Sequence, residues 1–314
     1  MARLPLGAAA VLALAVACSS ACAKGPVSPT ARADAALAGV PAAASASAAA
    51  GVRPTKLLVI VEENEAEVPA LTHMPYLASL ARRFGYTTHY RAQTHPSLPN
   101  YLTMAGGSDF GVHDDAYPSS HPVAGPSIFD QAFAAKRRGR TYVESMPATC
   151  TLASAGRYAV KHNPWAYFSS PASRAACRRD DVPLGTTTSG ALRADIANGR
   201  LPAVGMVVPD ICDDGHDCSL TTSDDWLRGW LPLIQKGRDW TSGRLVVVVT
   251  FDEDDYSDGN RVLTAVLSPR IHHAVVGADL THCSIARAAA EILGVKPLGC
   301  GATARSLLHA FGLR

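Results

Sequence analysis

The chain has 314 residues, enough for one large α/β domain with a sizeable core. Its 29 basic and 27 acidic side chains leave a formal charge of +2, which removes the electrostatic case for nucleic acid as a partner. Apart from Lys136-Arg137-Arg138 and Arg178-Arg179 the basic residues are scattered, and both short runs read as solvated surface.

The N-terminus reads as an export signal. Arg3 is a thin basic region, residues 8–16 are apolar, and small residues follow. The apolar stretch is too short for a permanent membrane span. Ala21-Cys22-Ala23 fits a small-x-small cleavage site. The competing reading is a lipoprotein signal, Leu14-Ala15-Val16-Ala17-Cys18, with Cys18 lipidated and Ala15 where a larger aliphatic is usual. The expected division is a signal peptide over 1–23, an Ala/Ser/Pro-rich linker over 24–52 and a folded domain over 53–314. The expected location is secreted or cell-surface.

Six cysteines follow the signal: Cys150, Cys177, Cys212, Cys218, Cys283 and Cys300. An even number in an exported chain points to disulfides. Pairing of sequence neighbours (150–177, 212–218, 283–300) is the expectation. No Cys-x-x-Cys occurs, so a cysteine zinc site is set aside.

Lys56-Leu57-Leu58-Val59-Ile60-Val61 predicts a strand over 56–62 that runs into Glu62-Glu63-Asn64. A helix is expected over 75–85, with Tyr76, Leu77, Leu80, Ala81 and Phe84 at helical spacing and Gly85 as its stop. Thr94-His95-Pro96-Ser97-Leu98-Pro99-Asn100-Tyr101 opens a second helix, with Ser97 as N-cap and Pro99 in the first turn. Residues 106–125 read as a polar loop, 127–136 as a helix and 141–145 as a strand. Residues 146–200 are Pro-, Ser- and Arg-rich, and an irregular stapled excursion over the active edge is expected.

A second buried strand, Ala203-Val204-Gly205-Met206-Val207-Val208, runs into Pro209-Asp210 and then Asp213-Asp214-Gly215-His216-Asp217. A helix over 223–236 is expected to carry Asp224 and Asp225 in its first turn. The strand over 244–251 runs into Asp252-Glu253-Asp254-Asp255. A turn at 257–260, a strand over 262–267 and helices over 283–294 and 302–311 complete the chain. β-branched runs of this length suit strands buried on both faces of a largely parallel sheet. Strands alternating with helices, without an internal repeat, predict an α/β sandwich.

Ligands in such sheets bind beyond the carboxyl ends of the strands. One acidic cluster there would be explained by solvation or helix capping. Two at strand ends, with a third carrying His216, point to a site. Glu63, Asn64, Asp252 and Glu253 offer only oxygen, which selects one divalent Ca²⁺, Mg²⁺ or Mn²⁺ over structural zinc. Ser97 is the candidate nucleophile at a helix N-terminus suited to a phosphoryl group. His216 is a candidate proton donor that Asp217 would orient, and His162 a candidate phosphate contact. His95, His113, His121, His272 and His273 read as surface or packing residues, and His282 is ambiguous. No Gly-x-Ser-x-Gly elbow and no Gly-x-x-x-x-Gly-Lys-Ser/Thr loop is present, which argues against elbow-type esterases and nucleoside triphosphate use.

Five segments carry a resemblance: Val59-Ile60-Val61-Glu62-Glu63-Asn64, the Thr94 to Tyr101 run, Tyr158-Ala159-Val160-Lys161-His162-Asn163-Pro164-Trp165, Gly215-His216-Asp217-Cys218-Ser219 with Asp225-Trp226-Leu227, and Val249-Thr250-Phe251-Asp252-Glu253-Asp254-Asp255. In this order they are similar to the phosphoesterase family that includes bacterial non-haemolytic phospholipases C and AcpA-type acid phosphatases. In length the chain resembles its short secreted members. The resemblance implies an alkaline-phosphatase-like α/β/α sandwich with a mostly parallel central sheet. It implies a metal held by Glu63, Asn64, Asp252 and Glu253, and Ser97 as the phosphorylated nucleophile. It gives Asn100 and His162 to the phosphate, with Asp217 beside them, and His216 to the leaving group. Some members carry Thr at the position of Ser97. Asp254 stands where phospholipase-type members show His-Gly, which favours the phosphatase branch.

The expected function is that of an exported, metal-dependent phosphomonoesterase working through phosphoserine on a small phosphomonoester or phosphorylated lipid. A monomer is expected, touching membranes only through a lipid anchor or substrate. One alternative is a phospholipase C, with Trp165, Tyr167 and Phe168 as an apolar rim. Another is a non-catalytic surface protein that binds metal or phosphate.

Overall fold

The three apolar runs lie side by side in the middle of one sheet. The structure is a computed structural model that describes residues 53–314. The signal, linker and lipidation readings lie outside the described residues. In chain order the strands are β1 (Lys56–Glu62), β2 (Gly85–Thr87), β3 (Tyr90–Arg91), β4 (Gly139–Val143), β5 (Asp181–Pro183), β6 (Val204–Val208), β7 (Leu245–Phe251), β8 (Thr264–Leu267), β9 (Ala274–Val276) and β10 (Leu280–Thr281). Eight of them form a sheet of order β5-β4-β6-β1-β7-β8-β2-β9, while β10 and β3 pair separately. The segment from β5 to β7 is parallel, and β8 runs antiparallel to both β7 and β2. Strands β6 and β7 are buried along their whole length and β1 from Leu57 onward, as expected of strands covered on both faces.

The helices are α1 (Glu67–His73), α2 (Pro75–Arg83), α3 (Ser97–Gly106), α4 (Ile128–Ala134), α5 (Pro171–Asp180), α6 (Ala191–Ala197), α7 (Leu220–Lys236), α8 (Arg238–Thr241), α9 (His282–Leu293) and α10 (Leu307–Ala310). Ser127 and Asp130 form a reciprocal capping box on α4. Among the described residues no helix is long and apolar enough to cross a membrane. All three expected disulfides are present: Cys150–Cys177, Cys212–Cys218 and Cys283–Cys300.

Several local expectations need correction. Residues 146–200 are not an irregular excursion, since they include α5, β5 and α6. Helix α7 starts at Leu220, with Ser219 as the cap accepting from Thr222 N–H. Asp224 does not serve its own helix terminus. Its carboxylate accepts from the N–H groups of Tyr76 (2.9 Å) and Leu77 (2.8 Å), and so caps α2 instead. The last expected helix contracts to α10, preceded by a 3₁₀ turn at Gly299–Ala302. Trp165, Tyr167 and Phe168 are fully buried, and Trp165 stacks on Phe129 at 4.3 Å, so they form core and not a lipid-facing rim.

Edge strand β5 also buries a carboxyl. Asp181 accepts hydrogen bonds from the Thr141 hydroxyl and, at 2.9 Å, from the Asn163 amide, and burial pushes it up to about 6. Its unfolded value is about 3.9. Between those values the folded chain holds a proton that the unfolded chain has lost. Stability therefore falls as pH rises through this window and stays lower above it. Asp181→Asn, with its amide turned toward the Thr141 hydroxyl, should raise stability at pH 7.5 by about 1–3 kcal/mol. The gain should shrink toward zero at pH 4. Urea unfolding at both pH values tests this, and an equal loss at both would refute it.

Candidate active site

Register places the acids together. β1 pairs with β7 so that Glu62 faces Phe251, and Asp252 N–H donates to Glu62 O at 3.0 Å. Glu63 and Asp252 therefore leave adjacent strands at one level. Beyond β6, the Asp214 carbonyl accepts from Glu63 N–H at 2.9 Å, which brings the third cluster to the same edge. Asn64 follows in the left-handed conformation (φ 52°), which Asn tolerates. Its N–H donates to Asp252 Oδ1 at 3.1 Å, and Glu253 N–H donates to the same oxygen at 2.7 Å.

Ser97 is the first residue of α3, and Pro96 occupies the cap position, with no side-chain cap bond. This corrects the expectation that Ser97 is the N-cap. Its hydroxyl instead donates to Glu63 Oε2 at 3.2 Å. The helix terminus is partly taken, because Asp115 Oδ1 accepts from Leu98 N–H at 2.9 Å. One turn on, Tyr101 OH donates to Glu63 Oε1 at 2.5 Å. His162 lies under this group, stacked on Tyr101, with Nε2 3.2 Å from Glu63 Oε2 and Nδ1 3.2 Å from Asp214 Oδ2. Glu63, His162 and His216 bring one ligand atom each within 4.8 Å of one another.

Asn100 is positioned differently from the expectation. Its Oδ1 accepts from Gln93 N–H (3.0 Å) and Thr94 N–H (3.1 Å). Its Nδ2 donates to Thr94 O at 2.7 Å, and Pro96 O and Glu253 Oε2 lie at 3.2 Å. The amide thus braces the loop before α3 against Glu253. Glu253 reaches this brace and His95, whose Nδ1 is 3.2 Å from Glu253 Oε2 and whose Nε2 is 3.1 Å from Asp254 Oδ1. His95, expected to be bland, is therefore a member of the site. His282 is buried and spans Tyr90 OH (2.9 Å) and Asp252 O (2.6 Å), fixing the turn after β7. Burial pushes it down to about 4, so it is neutral there.

His216 stands at the rim. Its Nδ1 meets Asp217 Oδ1 at 2.7 Å, and its Nε2 lies 3.3 Å from Lys161 Nζ. Lys161 also donates to Asp115 Oδ2 at 3.0 Å. Asp214, Tyr101, Lys161 and Asp115 join the site without a role expected from the sequence. Lys161 stood inside a quoted motif, but its partners come from other segments.

The electrostatics are those of crowded acids. Burial, then the charges of Asp252 and Asp214, holds Glu63 well above the usual carboxylate range. Burial also raises Asp214 well above its ordinary value and pushes Asp252 up to about 6. Burial and Asp252 push Glu253 up to about 9. Burial, with the charges of Lys161 and His216, holds His162 well below the ordinary histidine range, as a neutral imidazole.

Asp252 Oδ2, Asp214 Oδ2 and both His162 nitrogens are buried without a hydrogen-bond partner, although Glu63 Oε2 and Asp214 Oδ2 each lie 3.2 Å from His162. Orphaned acceptors beside neutral imidazole are a donor set that fits a cation. The set mixes nitrogen with oxygen, which corrects the oxygen-only argument for Ca²⁺, Mg²⁺ or Mn²⁺ and leaves zinc and iron compatible.

A serine hydroxyl thus stands against buried carboxylates and imidazoles at the carboxyl edge of the parallel strands of an alkaline-phosphatase-like fold. The Phosphoesterase family model matches residues 70–296, and the chain belongs to that family. As a member it is a hydrolase of phosphoric esters.

The chain is 28% identical over 270 residues to a phosphatidylinositol-3-phosphatase of Mycobacterium tuberculosis, a match covering 84% of this chain and 86% of that protein. It is 30% identical over 243 residues to a phosphate-repressible acid phosphatase of Penicillium chrysogenum, covering 72% of this chain and 57% of the fungal one. A crystal structure of an alkaline phosphatase superfamily protein from Vibrio parahaemolyticus superposes with a TM-score of 0.54 at 12% identity, covering 78% of this chain and 67% of that one. It supports the fold alone.

Proposed function

We propose that the protein is an exported phosphomonoesterase of the acid phosphatase type, working through a phosphoserine at Ser97. The observation that carries this reading is the Ser97 hydroxyl, free of helix capping and directed at Glu63 Oε2 at 3.2 Å. Export is supported by the three disulfides. Glu63 and Asp252, with His162, would hold a divalent cation. Bound there, the cation would lower the pKa of the serine hydroxyl and offset charge on the phosphoryl group.

Ser97 Oγ forms the new bond to phosphorus as the bond to the leaving oxygen breaks. Glu63, once ionised, is the acceptor that the hydroxyl proton already faces. His216 gives the leaving oxygen a proton, with Asp217 holding its Nδ1 side. Water then attacks the phosphoserine and releases phosphate. Lys161 faces the same space and supplies the positive charge that the acids lack. Asn100 and His95 hold Glu253 in place.

Phosphorylated lipids belong to the substrate class, in keeping with the name of the mycobacterial relative. The deciding assay compares an aryl phosphate, phosphatidylinositol 3-phosphate and phosphatidylcholine, each with and without a chelator. Phosphate release from the monoesters, abolished by the chelator and restored by added cation, is expected. Cleavage of phosphatidylcholine alone would mark a phospholipase C, and no hydrolysis would mark a binding protein. Lys161→Met should lower kcat/KM on the aryl phosphate by about 10–100-fold, the size of one lost charge-assisted hydrogen bond. An unchanged kcat/KM would remove Lys161 from the site.

A further inference from the structure

Four arginines distant in sequence meet on a surface remote from the acids. Arg53 precedes β1, Arg287 lies on α9, and Arg305 and Arg314 flank α10. Together with Glu291 and His309 they line a cleft of about 660 Å³. Helix α9 starts at His282, which touches Asp252, so at ~1.5 Å per residue Arg287 and Glu291 lie ~8 and ~14 Å further along. Arg53 stands ahead of the strand whose far end delivers Glu63. The cleft is therefore separate from the active site.

Its charges are unequally matched. Glu291 Oε1 meets Arg287 Nε at 3.0 Å and Arg314 Nη1 at 3.7 Å, and Oε2 accepts from the Ser306 hydroxyl at 2.7 Å. Arg287 Nη1 also donates to Ala304 O at 2.7 Å, and Arg314 Nη2 to Glu291 O at 3.0 Å. Two guanidiniums are thus fixed in place and share one carboxylate. Among the described residues Arg305 is met only by Asp279 at 3.9 Å, and its side chain is 66% exposed. Arg53 is exposed and makes no ion pair or hydrogen bond among the described residues.

From this juxtaposition we infer that the cleft is a second anion site, taking a phosphoryl-bearing group through Arg53, Arg305 and the pre-set Arg287 and Arg314. Guanidinium forks match phosphate oxygens two at a time, which scattered lysines do not. The volume suits a ligand of headgroup size. An anionic phospholipid headgroup and free phosphate share this chemistry.

The test uses the whole protein and the double variant Arg53→Glu/Arg305→Glu. Both side chains are exposed, and an unchanged melting temperature in phosphate-free buffer is the folding control. Vesicles of phosphatidylcholine with added phosphatidylserine should recruit the wild type more than phosphatidylcholine alone. The double variant should bind them at least about tenfold more weakly, and Lys136→Glu, at an exposed lysine outside the cleft, should not. If the vesicles recruit nothing but inorganic phosphate raises the melting temperature more in the wild type than in the double variant, the ligand is free phosphate. Equal behaviour of wild type and double variant in both arms would overturn the inference. So would an equal loss in Lys136→Glu, which would mark general surface charge. Neither arm requires turnover, so failure here is distinct from failure of the catalytic reading.

Discussion

Ser97→Ala should lower kcat for an aryl phosphate by at least about a thousandfold, while stability stays within about 1 kcal/mol of the wild type. The two parts of this expectation have different physical origins. Activity falls because the Oγ that would bond phosphorus is gone, and no other hydroxyl replaces it. Tyr101 OH is the other hydroxyl on Glu63, and burial with nearby acids holds it well above its ordinary value, as a phenol and not a phenolate. Stability is spared because Ser97 makes no cap bond to lose. Glu63 keeps its bond from Tyr101. Ser97→Thr, which retains the hydroxyl, should recover most of the lost rate. Acid quenching of the wild type during turnover should trap phosphate on the protein, and quenching of Ser97→Ala should not. A capping role would give the reverse pattern, with a loss of about 1 kcal/mol and turnover intact.

Much of this centre was legible in the chain because strand ends are local features. Unbroken runs such as Leu245–Phe251 mark buried parallel strands, and whatever follows them must emerge at the ligand edge. Glu63, Asp252, Glu253 and His216 can be placed at that edge without any knowledge of pairing. The sequence falls short where tertiary partners decide. His95 has an unremarkable setting in sequence, and only the approach of Glu253 and Asp254 makes it part of the site. The family resemblance gives Asn100 to a phosphate, and in the structure the loop over Gln93 and Thr94 closes on its amide.

Secondary structure was lost over 146–200 for a related reason. β5 is a three-residue edge strand that ends in Pro183, too short to show a period and placed where proline is tolerated. The signal for α5 was present, with Ser170 as cap and Pro171 in the first turn, but the composition around it masked the helix.

Asp252→Asn should separate stability from function. In the folded protein Oδ1 accepts from two backbone N–H groups, Asn64 at 3.1 Å and Glu253 at 2.7 Å, and an amide oxygen can keep both. Oδ2 is buried with no hydrogen-bond partner, so the amide nitrogen that replaces it displaces no donor. A negative charge is removed from beside Glu63 and Glu253, both of which Asp252 pushes upward. The cation-free protein should therefore gain about 1 kcal/mol or more in stability. The same change withdraws a carboxylate from the cation, so kcat should fall at least about a hundredfold. Melting curves in chelator and in excess Mn²⁺, Mg²⁺, Ca²⁺ or Zn²⁺ read both effects. The wild type should melt higher with the cation that supports activity, because binding to the folded state adds RT ln(1 + [L]/Kd), and the variant should gain less. A variant that keeps both its cation-dependent melting shift and its turnover would remove Asp252 from the metal set and leave Glu63, His162 and His216 as the group to test next.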